Sequence, residues 1–126
     1  MHMNAVSREV IDSCIHIHKD LGPGLFESVY EKILIEELLS KGLSLRSQIP
    51  IPVYWNGKKV DHGFRADLLV ENSVLIELKS IESVADIHKK QLLTYLKLSK
   101  YPLGLLINFN VVLLKSGITR LINTPL

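Results

Sequence analysis

Apolar positions at the start of the chain recur with a helical period. Val6, Val10, Cys14, Ile17 and Leu21 fall at i, i+4, i+8, i+11 and i+15, which draws one stripe along a helix over residues 5–20. Asn4 is the expected N-cap. Gly22-Pro23 is the expected stop, because glycine accepts a left-handed backbone and proline cannot continue a helix. A second helix is expected over 25–41, with Val29, Ile33, Leu34, Leu38 and Leu39 as a wide buried face and Gly42 at its end. The period then falls to two. Ile49, Ile51 and Val53 alternate along a strand over 43–55, and Pro50 and Pro52, which have no N–H to donate, mark an unpaired edge. Asn56-Gly57 signals a two-residue hairpin. A strand over 58–70, a polar turn at 71–73 and a strand over 74–80 complete a three-stranded antiparallel meander. Helical spacing returns over 84–99, with Leu92, Leu93 and Leu96 on the packing side and His88, Gln91 and Tyr95 together on another. Residues 101–109 are almost continuously apolar, as in a strand covered on both faces. A short strand over 118–122 follows a turn at Ser116-Gly117. The order α-α-β-β-β-α-β-(β) predicts an α/β protein in the broad sense, an α+β sandwich of helices on a mixed sheet.

Composition narrows this little. A chain of 126 residues, 47% hydrophobic and 22% charged, fits one packed domain over 1–126. The net charge of +2 permits a phosphate-rich partner without demanding one. Cys14 is the only cysteine, which excludes an internal disulfide and a cysteine-cluster zinc site and fits a reducing, cytoplasmic setting. The first residues hold no apolar signal core. The longest apolar run, 102–114, is broken by Asn108 and Asn110 and falls short of the ~20 residues that span a bilayer. No membrane partner is expected.

The chemistry concentrates in 63–80. Asp67 interrupts one apolar strand, and Glu77 and Lys79 interrupt the next. Glu77 and Lys79 lie two residues apart and so share a strand face. Such charges are costly in an apolar sheet unless paired, solvated or bound to metal. Two carboxylates on neighbouring strands, the Leu78 backbone carbonyl and waters suit Mg²⁺, a hard ion that retains water. Lys79 would then offset charge in a transition state. Asp67 faces Glu77 only if the 71–73 loop has an odd number of residues or a bulge compensates. The plainer alternative is a surface cluster in which Lys79 pairs with Asp67, worth at most about 1 kcal/mol. Glu27 carries two readings as well. It is a third carboxylate if its helix crosses the sheet, or a first-turn acid favoured by the helix dipole, at N3 if Gly24 is the cap. Tyr30 lies one turn later on the same side.

The segment Gly24-Leu-Phe-Glu27-Ser-Val-Tyr30 resembles the signature of the GxxExxY family, a branch of the PD-(D/E)XK nuclease superfamily. The similarity continues through 64–70, 76–79, 91–96 and 104–109, in the family's order. It implies a restriction-endonuclease-like αβββαβ core with an extra N-terminal helix. It also implies a Mg²⁺-dependent nuclease, with Mn²⁺ as substitute, acting on nucleic acid; it implies no known substrate, and DNA is expected before RNA. By resemblance Glu27 matches the first-helix acid, Asp67 the metal-binding acid, and Glu77 with Lys79 the E-x-K element. Asp67, Glu77 and the Leu78 carbonyl, with Glu27 as a further candidate, then form the metal set. Gln91 and Tyr95 resemble a Q-x-x-x-Y element that supports the site or the substrate.

Simpler roles are expected elsewhere. Cys14 belongs to a core stripe, His88 to a helix surface, and His16, His18 and His62 lack metal spacing. Arg65, Arg46, Lys89, Lys90, Lys97 and Lys100 either rim a phosphate groove or form a solvated surface. Tyr54 and Trp55 are expected to pack across their hairpin rather than stack on bases. A binding module without turnover is the alternative function, and a homodimer would enlarge the footprint of so small a chain.

Overall fold

A computed structural model describes residues 1–123, and within them every side chain but those of Asp61 and His62. Three helices, α1 (Met3–Leu21), α2 (Glu27–Ser40) and α3 (Asp86–Ser99), flank one five-stranded sheet. Its strands are β1 (Leu45–Trp55), β2 (Lys58–Val70), β3 (Val74–Lys79), β4 (Leu103–Asn108) and β5 (Ile118–Ile122), in the spatial order β1-β2-β3-β4-β5. Only β3 and β4 run parallel, joined through α3; the other neighbours are antiparallel. Among the described residues no helix is long and apolar enough to cross a membrane.

The sheet separates two cores. On one face Val6, Val10, Cys14 and Ile17 of α1 and Tyr30, Leu34 and Leu38 of α2 pack on Leu68, Ile76, Leu78, Leu105 and Ile107. On the other, Leu92, Tyr95 and Leu96 of α3 pack on Ile49, Ile51, Ala66, Leu69, Leu75 and Leu106. Gly104 makes the second contact possible. A Cβ there would lie 2.9 Å from Leu96 Cδ1 and 3.1 Å from Leu92 Cδ2.

Several local expectations are corrected. The α1 cap is His2, whose Nδ1 accepts the Asn4 N–H at 3.1 Å. Asn4 instead accepts from Arg120 at 2.5 Å. The residue before α2 is Phe26, not Gly24, so Glu27 opens the helix at N1. The α2 stripe is narrower than the sequence implies, with Val29 and Leu39 exposed, as Leu21 is on α1. Tyr54 and Trp55 do not pack across the hairpin: both are exposed.

The Asn56-Gly57 turn forms as expected, with φ of 51° and 76°, both left-handed as this tight turn requires. β1 is an edge strand, which accommodates Pro50 and Pro52. One feature departs from simple alternation. Leu45 packs toward α1 and α2, whereas Ile49 and Ile51 face α3. In β2 Leu68 and Val70 face α1 and α2, whereas Ala66 faces α3. Both strands therefore switch faces between their Leu45–Leu68 and Ile49–Ala66 segments. The switch falls where Gln48, with a φ of 52°, drops out of the ladder opposite Asp67. Irregularities of this kind bend a strand and re-aim a side chain. Beyond the corner, β2 pairs only with β1, and the two continue as a ribbon over α3.

Candidate active site

The β2–β3 loop has three residues, and Val70 pairs with Val74, Leu69 with Leu75 and Leu68 with Ile76. The backbone ladder stops there. One residue further, two carboxylates take over the hydrogen bonding. The Asp67 N–H donates to Glu77 Oε1 at 3.0 Å, and the Leu78 N–H donates to Asp67 Oδ2 at 2.7 Å. Each acid thus satisfies a main-chain donor of the opposite strand with one oxygen. The Leu78 N–H points toward Asp67. In an extended strand the carbonyl of the same residue lies on that side as well, which places the Leu78 C=O beside the acids.

Burial makes the pair electrostatically tense. Glu77 is 8% exposed. Desolvation, reinforced by the charge on Asp67, pushes its carboxyl up to about 8, against the opposing pull of Lys79. Asp67 is also raised, first by desolvation and then by the charge of Glu27, while the Leu78 N–H and Lys79 lower it. Lys79 is half-buried, and among the described residues it makes no ion pair, with Asp67 or any other acid. The surface-cluster alternative, in which the two pair across the strands, is therefore not what forms.

The end of β3 is held from several sides. Asn108 is buried, and its side chain accepts the Ile81 and Asn110 N–H groups at 3.1 and 3.2 Å and donates to the Ile81 carbonyl at 3.0 Å. The Phe109 N–H donates to the Lys79 carbonyl at 2.9 Å. Ser80 donates through Oγ to the Leu25 carbonyl at 2.7 Å, and its N–H donates to Glu27 Oε2 at 3.3 Å. Glu27 is exposed and faces a groove of about 490 Å³ lined by Gly24, Phe26, Ser28, Ser80 and Asn110.

Tyr30 shares the helix with Glu27 but lies in the core. Its ring stacks on Phe109 at 4.1 Å, and its hydroxyl donates to the Gly22 carbonyl at 2.5 Å and accepts the Leu25 N–H at 3.3 Å. It fixes the loop that delivers Glu27. Tyr95 reaches the site from α3. Its hydroxyl is pushed up to about 12 by burial and by the nearby charges of Glu77 and Asp67. Gln91 is half-buried one turn earlier on α3, and Arg65 is exposed on β2. His88 accepts the Ala85 N–H at 2.9 Å at the start of α3. His18 binds the Phe109 and Val111 carbonyls through Nε2, at 3.1 and 2.9 Å.

One acid was missed from sequence. Glu31 lies within interaction range of Asp67, and burial together with that charge raises its carboxyl. Gln48, the corner residue of β1, donates to both its oxygens at 3.0 and 3.3 Å. The available signal was its spacing of four residues from Glu27, which puts both on one helix face.

Hard oxygen donors and crowded negative charge fit a small divalent cation. Among the described residues no three acidic, histidine or cysteine side chains stand close enough to ligate one ion. Glu27 is engaged with the Ser80 N–H.

A mixed sheet between helices, with an acid pair and a lysine at the end of its inner strands, defines a class of fold and site. Residues 4–121 match the model of the PD-(D/E)XK nuclease superfamily, and the chain belongs to that superfamily. Its members are generally nucleases. No curated protein and no solved structure gives a significant match to the chain.

Proposed function

We propose that this protein is a Mg²⁺-dependent nuclease of the GxxExxY branch, with Mn²⁺ as a substitute ion. It hydrolyses phosphodiester bonds of nucleic acid, DNA in preference to RNA. The observation that carries the reading is the reciprocal clasp of Asp67 and Glu77. It holds two desolvated carboxylates side by side, with Lys79 beside them and in no ion pair among the described residues.

When bound, a divalent ion polarises a phosphoryl oxygen and acidifies a water. The chain supplies the rest. Asp67, Glu77 and the Leu78 carbonyl would hold the ion. Lys79, which makes no ion pair among the described residues, would donate to the oxygen on which charge develops. Glu27 and Glu31 add negative potential at the α2 side. Tyr95, neutral throughout the physiological range, offers a hydroxyl from α3, and Gln91 and Arg65 support the substrate.

The test offers Mg²⁺ or Mn²⁺ with single-stranded, duplex, branched and RNA substrates to wild type and to Asp67→Asn. Cleavage by wild type alone supports the proposal. No cleavage by either, with no metal binding, overturns it. A binding module without turnover is the second reading. The absence of a three-side-chain ligand cluster among the described residues favours it, and nucleic-acid binding without cleavage would establish it.

A further inference from the structure

The β1–β2 ribbon outruns the sheet. β2 pairs with β3 only through Leu68, so everything from Ala66 to the turn is held by β1 alone. From Asp67 to Lys59 is eight residues, at most about 26 Å of extended strand. The tip carries side chains that no folding requirement explains. Trp55 is 71% exposed and Tyr54 59%. The register sets Trp55 opposite Lys58 and Tyr54 opposite Lys59. Residues 54–60 contain two lysines and no acid. Each aromatic ring is therefore paired across the ribbon with a cation.

We infer that this tip is a docking point that a nucleic-acid strand wraps, with unpaired bases stacking on Trp55 on one face and Tyr54 on the other and phosphates meeting Lys58 and Lys59. The inference rests on the nucleic-acid reading proposed above. It adds where the strand is gripped and in what form.

Rings and cations at adjacent positions suit a polymer that alternates flat bases with anions. Unpaired bases fit better than a duplex. Their faces are open for stacking, whereas a duplex encloses them within its own stack. Phe64, on the same ribbon nearer the acid pair, meets Tyr95 with ring centroids 5.3 Å apart.

Trp55 is the only tryptophan, so its fluorescence reports on the tip directly. The experiment is run in EDTA, where no metal-dependent cleavage occurs. A thymidine oligonucleotide of about twelve bases is titrated into the wild-type protein, within the span of single-strand sites. A blunt duplex, heparin and anionic phospholipid vesicles are titrated in parallel. Saturable quenching by the single strand is expected, with weaker quenching by duplex and none by heparin, a polyanion without bases. A labelled oligonucleotide then reports affinity by anisotropy. Trp55→Ala should weaken it about tenfold, the scale of one lost base stack. Lys58→Ala with Lys59→Ala should flatten the salt dependence by about 1.4 in log–log slope. Circular dichroism confirms that these exposed substitutions leave the fold intact.

Absence of quenching by the oligonucleotide overturns the inference, as does unchanged affinity in Trp55→Ala. A blue shift with vesicles in place of quenching would assign the tip to a lipid surface, and a blue shift with protein concentration alone to a second copy; either overturns it. The two proposals fail separately. Quenching without cleavage in Mg²⁺ leaves the docking point and removes the nuclease, and cleavage with Trp55→Ala unaffected does the reverse.

Discussion

Asp67 and Glu77 are bound to each other's strands rather than to each other: the Asp67 amide donates to the Glu77 carboxylate, and the Leu78 amide donates to the Asp67 carboxylate. Main-chain hydrogen bonding is thereby maintained across a point where the ladder has opened. The arrangement keeps two acids in place that would otherwise repel. It also gives each a structural duty, so substitutions must separate charge from hydrogen bonding.

Asp67→Asn keeps an acceptor for the Leu78 amide and removes the charge. We expect it to melt at or above the wild-type temperature in EDTA, to bind Mg²⁺ more weakly and to lose cleavage. Asp67→Ala also strands a partly buried amide, at a cost of about 1–3 kcal/mol. Lys79→Ala should bind Mg²⁺ as well as or better than wild type, since a neighbouring positive charge has gone, yet cleave about 10²–10³ more slowly. Calorimetric titration, melts and a cleavage assay on these variants check each outcome.

Metal-free stability should fall as pH rises. The Glu77 carboxyl sits at about 8 in the folded protein, well above the ordinary glutamate value of 4.5. The folded state therefore holds a proton that the unfolded state has released across that interval. The contribution is fully present below the unfolded value and is lost as pH rises through the folded one, at roughly 1.4 kcal/mol per pH unit at most. Denaturant melts in EDTA between about pH 5 and 8 should show the decline. Glu77→Gln should flatten it, and saturating Mg²⁺ should reduce it. A stability that rises over this range would contradict the burial argument.

Glu31→Gln tests the acid that joins the site from α2. The amide retains polar contact with Gln48 while removing a charge near Asp67. We expect a higher melting temperature without metal and a Mg²⁺ affinity lower by a few-fold, about 1 kcal/mol or less. Unchanged values in both measurements would make Glu31 a bystander.

Asn108→Ala removes three hydrogen bonds that hold the segment after Lys79. The main-chain groups of Ile81 are left without those partners, so a loss of about 2–4 kcal/mol is expected in a chemical melt. Asn108→Asp retains the acceptor and loses the donor to the Ile81 carbonyl, and should cost less.

Much of the fold was legible because its boundaries carry local chemistry. Lys58–Val70 and Ile118–Ile122 form over the residues expected for them, between Asn56-Gly57 and the 71–73 turn in the first case and after Gly117 in the second. The odd loop that lets Asp67 approach Glu77 was legible for the same reason. The corner at Gln48 was not. Its left-handed backbone falls on a residue that gives no local sign of it, and it exists because two cores on opposite faces compete for one pair of strands. Tyr30 looked like a companion of Glu27 by spacing, but only the packed structure shows its ring on Phe109. The exposure of Val29 and Leu39 reflects the narrow contact α2 makes with α1 and the sheet, which no periodicity within α2 reveals.

The three-residue loop between β2 and β3 also has a kinetic consequence. Asp67 and Glu77 are ten positions apart in a hairpin, whereas β4 reaches β3 only after the whole of α3 has been traversed. Hairpins close in about 1–10 μs, well before pairings that enclose a long crossover. The acids therefore meet early, while the hairpin is open and water screens their repulsion; the burial that lifts the Glu77 carboxyl comes only when the helices close on the sheet. Protonation or a divalent cation should then act chiefly by slowing the rate at which the finished protein comes apart, with a smaller effect on folding.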